Sequence, residues 1–282
     1  MGAAPKLGLI AGNGRFPILL LDAARARGTE VVVAAIKEET DPEIEAHGAA
    51  QVTWLSLGEL SKLIDTFQKA GVSEAVMAGQ VRHSQIFSGI RPDWRMAKLL
   101  FSLKNRNTDA LLGAVARVLA DEGITLIDST SYLEPLLARA GVLTARAPNE
   151  TETSNIQYGR SIARRLAEFN IGQTVVVAEA ACVAVEAMEG TDATIARAGE
   201  MVARFASGDS ALSRALTVVK VATANQDMRF DVPVIGVATI AAMRAAGATC
   251  LALDARKCLL LDGDAVIRAA DAGGITVVAD VA

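Results

Sequence analysis

The sequence predicts an α/β protein of two domains, and three observations carry that expectation. Short β-rich runs alternate with segments of helical periodicity through the first half of the chain, as in right-handed βαβ units around a parallel sheet. The alternation breaks around residues 140–154, where ARAGVLTARAPNETETS is polar, holds a proline and ends in hydroxyl and acidic residues suited to a helix start. At 282 residues the chain also exceeds the commonest single-domain size. Together these place a Rossmann-like parallel sheet in residues 1–145 and an α/β catalytic domain in residues 146–282.

In the first domain, residues 6–11, 30–36 and 74–78 read as strands, and 16–27 and 57–70 as helices. Apolar spacing then gives helices over 94–103 and 108–122 and a strand over 124–127. In the second domain a helix over 155–169 leads to a strand over 174–179, an apolar run over 181–187, a helix over 193–206 and a strand over 215–222. Strand–helix–strand alternation resumes through 234–237, 239–246, 249–254, 258–261, 264–272 and 275–280. No internal repeat stands out.

A composition of 51% hydrophobic and 21% charged residues supports a large core. The net charge of −4 comes from interspersed acids and bases, with few aromatics for bases to stack on, so nucleic acid is not an expected partner. Cys182, Cys250 and Cys258 are odd in number, far apart and set among apolar neighbours, which reads as small core residues in a reducing, cytoplasmic setting. No apolar run approaches the ~18–20 residues that cross a bilayer, and the N-terminus lacks a cationic region followed by a long apolar one. A soluble protein is expected.

Chemistry is expected where strands end. GLIAGNGRFP, residues 8–17, closes a strand and opens a helix, with Gly12, Asn13 and Gly14 in the turn. Glycines there let backbone approach a phosphate, and a helix N-terminus favours negative charge. A nicotinamide fingerprint fits poorly, because Pro17 stands where a small residue belongs and only Glu38 and Glu39 lie near the acidic position. Gly79 and Gln80 follow the third strand and could form a second wall of the same crevice. Asn107, Thr108 and Asp109 read first as a helix cap.

Glu189, Gly190, Thr191 and Asp192 could cap the following helix, or equally serve a hard cation or a phosphate-bearing ligand. In QDMRFDVPVIG, residues 226–236, Pro233 and the β-rich flank argue against a helix. An extended segment would point Arg229 and Asp231 to one side and Phe230 to the other. Either a buried Arg–Asp pair results, or Asp231 serves as a Mg²⁺ ligand or water-orienting base with Arg229 as a phosphate clamp. His47 lies in an acidic, surface-like patch and His83 just beyond the Gly-Gln loop. Walker A, HExxH, GxSxG and CxxC patterns are absent, which leaves phosphate chemistry with an oxygen-ligated metal.

Taken in order, LGLIAGNGRFP, AGQV, NIGQTVVV, VEAMEGTDATI and QDMRFDVPVIGVATI resemble the LpxI-type UDP-2,3-diacylglucosamine pyrophosphatases over essentially the full length. The resemblance implies two α/β domains with the ligand between them. It implies Mg²⁺-dependent hydrolysis of UDP-2,3-diacylglucosamine to UMP and 2,3-diacylglucosamine 1-phosphate, lipid X, with water attacking the phosphorus nearer the sugar. The family pattern R-x-D-x-P-x-x-G falls on Arg229, Asp231, Pro233 and Gly236, so Asp231 inherits the catalytic role, with Arg229 and Gln226 beside it. Asp231 and Asp192 are the implied metal ligands. Gly12, Asn13, Gly14, Gly79, Gln80, Glu189, Gly190 and Thr191 are the implied substrate contacts. Thr223-Ala224-Asn225-Gln226 stands where similar proteins show Lys-Pro-x-Gln, with Lys220 the nearest base upstream. A homodimer and peripheral contact with the inner membrane complete the expectation. The rival reading is a non-catalytic carrier of a nucleotide sugar or lipid.

Overall fold

A computed structural model describes residues 5–81, 91–103, 108–205, 215–223 and 226–281, without the side chains of residues 108, 109 and 205. His83 and Asn107 lie outside the described residues, as does the side chain of Asp109. The chain forms two compact units. One comprises Met1–Glu134 with Asp227–Asp231, the other Pro135–Gln226 with Val232–Ala282.

The first unit holds a five-stranded sheet of β1 (Lys6–Ala11), β2 (Glu30–Ile36), β3 (Gln51–Leu55), β4 (Glu74–Ala78) and β5 (Thr125–Leu126). All pairings are parallel and the order is β3-β2-β1-β4-β5, the doubly wound arrangement expected. Among its described residues the helices are α1 (Phe16–Ala26), α2 (Leu60–Ala70), α3 (Trp94–Ser102) and α4 (Thr108–Asp121). β1 and β2 are buried along all but their first residue, which is why they read as continuous apolar runs and not as alternating ones. Pro17 sits in the first turn of α1, where its missing N–H is no loss. Strand order reverses between β1 and β4, the position at which open α/β sheets leave a crevice beyond the strand ends. The sequence reading passed over β3, an edge strand whose Val52, Thr53 and Trp54 are all half-buried and therefore show no alternation.

The second unit begins earlier than residue 146. β6 (Gly141–Val142) pairs with β13 (Thr276–Asp280), and the Ala138 amide donates to Cys258, which binds residues 138–142 into the second sheet. α5 (Glu150–Glu168) likewise starts before the expected residue 155. Asn149 and Glu152 form a reciprocal capping box, so the polar ETETS stretch is the helix's first turn. There follow β7 (Thr174–Ala178), β8 (Ala181–Val185), α6 (Thr191–Phe205), β9 (Leu216–Lys220), β10 (Val234–Ile235), α7 (Val237–Ala246), β11 (Ala248–Asp254), β12 (Leu259–Leu260) and α8 (Asp264–Ala272).

The main sheet is mixed, in the order β6-β13-β11-β9-β7-β8, with β10 and β12 paired separately. β9 runs parallel to β11 and antiparallel to β7, and β7 antiparallel to β8. One edge of this sheet therefore gathers the C-terminal ends of β8, β9 and β11 and the start of β7. Cys250 and Cys258 are core residues as expected, and burial pushes both thiols up to about 12; Cys182, by contrast, lies exposed on β8. Among the described residues no helix is long and apolar enough to cross a membrane.

Candidate active site

At the switch point of the first unit, the turns after β1 and β4 are clasped backbone to backbone. The Gly12 amide donates to Ala78 at 2.8 Å, the Asn13 amide to Gln80 at 2.7 Å, and the Gln80 amide back to Asn13 at 3.2 Å. A Cβ on Gly12 would lie 2.6 Å from the Gln80 carbonyl oxygen. One on Gly79, whose φ is +88°, would lie 2.5 Å from that of Asn13. Gly12 and Gly79 are thus required by the approach of two loops, a need the sequence does not separate from approach to a phosphate. Gly14 and Gln80 are exposed, as is Asn13, whose amide nitrogen lies 3.3 Å from the buried Glu39. α1 opens at Arg15 with no side-chain cap.

The segment Asp227–Asp231 belongs to this same unit and is a turn, not the extended stretch expected. The amides of Phe230 and Asp231 both donate to the Asp227 carbonyl, at 3.1 and 2.9 Å. Turning the chain brings Arg229 onto Asp227, with Nε to Oδ1 at 2.8 Å and Nη2 to Oδ2 at 2.6 Å, while the guanidinium lies 5.6 Å from the Phe230 ring centre. The ion pair is real, but its acid is Asp227 and it is only half-buried. Arg229 holds the Asp227 carboxyl below the usual aspartate range, and Asp227 raises Arg229 in return. Asp231, at the end of the turn, is half-buried and has contacts of its own.

Ser129 docks this turn. Its amide donates to Met228 at 3.0 Å, and its hydroxyl lies 2.6 Å from the carbonyl oxygens of both Arg229 and Met77, the latter in β4. Ser129 is 1% exposed. A single buried side chain thereby seats Arg229 and Asp231 at the ends of the first sheet's strands.

In the second unit each expected residue is held by neighbours of its own. Gln226 is bonded to Thr223: its side-chain oxygen accepts from the Thr223 amide at 2.6 Å, and its own amide donates to the Thr223 carbonyl at 3.2 Å. Glu189 accepts from Arg197 at 2.5 Å and from the Ala187 amide at 3.1 Å. Its own backbone amide, followed by Arg197, holds its carboxyl below the usual range. The Gly190 carbonyl receives the amide and hydroxyl of Thr194. Thr191 donates its hydroxyl proton to Glu186 at 2.8 Å and accepts from Lys220 at 2.8 Å, while Asp192 is exposed in the first turn of α6.

Sequence reasoning missed Ser129, Glu186 and the pair Arg160–Asp254, and gave Lys220 no role. Asp254 is 2% exposed; it takes Arg160 at 2.5 Å and the Ala222 amide at 2.9 Å, steadying the chain as it leaves β9. The available signal was a charge closing an apolar strand, as in LTVVK and ATCLALD, at the edge where such sheets carry their sites. His47, placed in a surface-like patch by the sequence, is partly buried against Asp22 with Nδ1 to Oδ1 at 2.9 Å.

Among the described residues no three His, Cys, Asp or Glu side chains gather into a metal cage. Mg²⁺ does not need one: it keeps several waters and takes one or two carboxylates together with substrate phosphates. The half-buried Asp231 of the first unit and the exposed Asp192 of the second are each, taken singly, an oxygen donor of that kind.

Fold and strand-end chemistry define a two-unit α/β protein with cationic and carboxylate groups at the strand ends. The LpxI N-terminal domain profile matches residues 6–136 and the LpxI C-terminal domain profile residues 139–278, so the chain belongs to the LpxI family. It is 32% identical over 275 residues to the UDP-2,3-diacylglucosamine pyrophosphatase LpxI of Caulobacter vibrioides, covering 96% of each chain. Among solved structures, the biotin carboxylase domain of the Hydrogenobacter thermophilus 2-oxoglutarate carboxylase matches 72% of this chain and 42% of that one at 11% identity. Its TM-score of 0.28 is too low to bear on fold or function.

Proposed function

We propose that the chain hydrolyses the pyrophosphate of UDP-2,3-diacylglucosamine to UMP and 2,3-diacylglucosamine 1-phosphate, lipid X, in lipid A biosynthesis. The observation that carries this reading is the end-to-end similarity to the Caulobacter pyrophosphatase. Arg229, Asp231, Pro233 and Gly236 stand in the matched region with the spacing described above.

The pyrophosphate repels an incoming water until its charge is offset and the water is held in line. Asp231 and Asp192 are the residues proposed to hold Mg²⁺, which would supply that charge and a template for the water. Arg229 is suited to a phosphate oxygen because Asp227 takes only two of its N–H groups and fixes the fork's direction. Asp231 is proposed to orient the water that attacks the phosphorus nearer the sugar. UMP is a good leaving group, so no strong general acid is demanded, in keeping with His47 being engaged by Asp22. Exposed Asn13, Gly14 and Gln80 are proposed substrate contacts in the first unit, and Glu189, Gly190 and Thr191 in the second. Cytoplasmic location, peripheral contact with the inner membrane and a homodimer belong to the same proposal.

The test is to incubate the purified protein with UDP-2,3-diacylglucosamine and Mg²⁺ and follow UMP by chromatography and lipid X by mass spectrometry. In ¹⁸O-water the label is expected in lipid X. Binding of substrate without UMP release would overturn the reading in favour of a carrier. EDTA is expected to slow turnover at least about a hundredfold, with recovery on adding Mg²⁺; full activity in chelator would remove the metal from the mechanism.

A further inference from the structure

We propose that Lys220 is a positioning residue for this reaction, acting through the Thr191 hydroxyl at the start of α6; the proposal rests on the function proposed above. Strand pairing sets the arrangement up. Lys220 at the end of β9 lies directly opposite Thr174 at the start of β7, and the Glu186 amide donates to the Thr174 carbonyl, which brings Glu186 to the same edge. Thr191 sits between the two charges, with Lys220 Nζ and Glu186 Oε1 each 2.8 Å from its Oγ1 and the Thr174 hydroxyl at 3.3 Å.

Proton accounting leaves one orientation. An ammonium can only donate and a carboxylate only accept, so Thr191 must receive from Lys220 and give its proton to Glu186. The hydroxyl cannot rotate without losing a charge-assisted bond. Lys220 and Glu186 are 6% and 7% exposed, so both charges are largely withdrawn from water without touching each other directly. That arrangement is a poor source of stability, since desolvation offsets most of the attraction. What it does provide is a fixed first turn of α6, the turn that carries Thr191 and Asp192. The wider surroundings agree: Glu189 is held separately by Arg197, and Asp254 by Arg160, so neither carboxylate competes for Lys220.

A double-mutant cycle in the full-length protein tests this. Lys220→Met and Thr191→Val are each expected to raise KM about tenfold, with kcat changed less than about threefold, beside a fall in unliganded melting temperature from the buried charge left without its partner. Lys220→Met in the Thr191→Val background is expected to add no more than about twofold. Independent, multiplying effects on KM, or a loss confined to melting temperature, would overturn the proposal. If Lys220→Met does not fold, the cycle is run with Lys220→Gln and Thr191→Val, where the same non-additivity is required. A failed cycle in an enzyme that releases UMP overturns only the positioning role; absence of UMP release by the unmodified protein removes both.

Discussion

At the strand ends of the first unit, Gly12, Asn13 and Gln80 meet through amides and carbonyls, and what the sequence contributes there is the absence of side chains. At the corresponding edge of the second unit, Lys220, Thr191, Glu186 and Thr174 meet through side chains whose charges and hydroxyls must match atom for atom. The two edges respond differently to mutation as a result. A backbone clasp fails by steric overlap, with a large cost in stability. A side-chain relay fails by loss of orientation, with a cost in substrate affinity added to that of leaving a buried charge unpaired.

The largest expected effect comes from breaking the clasp. Gly79→Ala places a Cβ against the Asn13 carbonyl at a left-handed φ, and should lower stability by about 3 kcal/mol, a drop of several degrees in melting temperature by calorimetry. Gly14→Ala sharpens the comparison. Its φ is +86° but no atom lies within 4 Å of the added Cβ, so only the backbone strain of about 1 kcal/mol should appear. Equal effects at the two glycines would contradict the clasp.

The half-exposed ion pairs should cost least. Glu189→Ala removes the partner of Arg197 and should change stability by under about 1 kcal/mol in denaturant melts. Asp227 adds a pH signature. Its carboxyl is held low by Arg229, so its contribution is present in full above the ordinary aspartate range and lost as pH falls through the depressed native value. The stability difference between the unmodified protein and Asp227→Asn should therefore be flat at neutral pH and close in acid. A gap that widened in acid would reverse the sign of that coupling.

Much of the fold was legible because buried parallel strands and amphipathic helices write their periods directly into the chain. β3 was not, since a half-exposed edge strand has neither a continuous nor an alternating pattern. The start of α5 was not, because polar capping residues resemble a linker until Asn149 and Glu152 are seen to satisfy each other's backbone. The Arg229 turn was illegible for a different reason. Its shape depends on Ser129, a hundred residues earlier, and no local pattern records that contact. The presence of Asp231 beside Arg229 was readable; which acid Arg229 pairs with was not.

The most direct measurement is UMP release by Asp231→Asn at saturating substrate and Mg²⁺, read beside its melting temperature and substrate affinity. With the turn anchored by Ser129 and Asp227, the variant should keep its fold and bind substrate, and hydrolysis should fall below detection. Turnover near that of the unmodified protein would show that Asp231 does not carry the reaction.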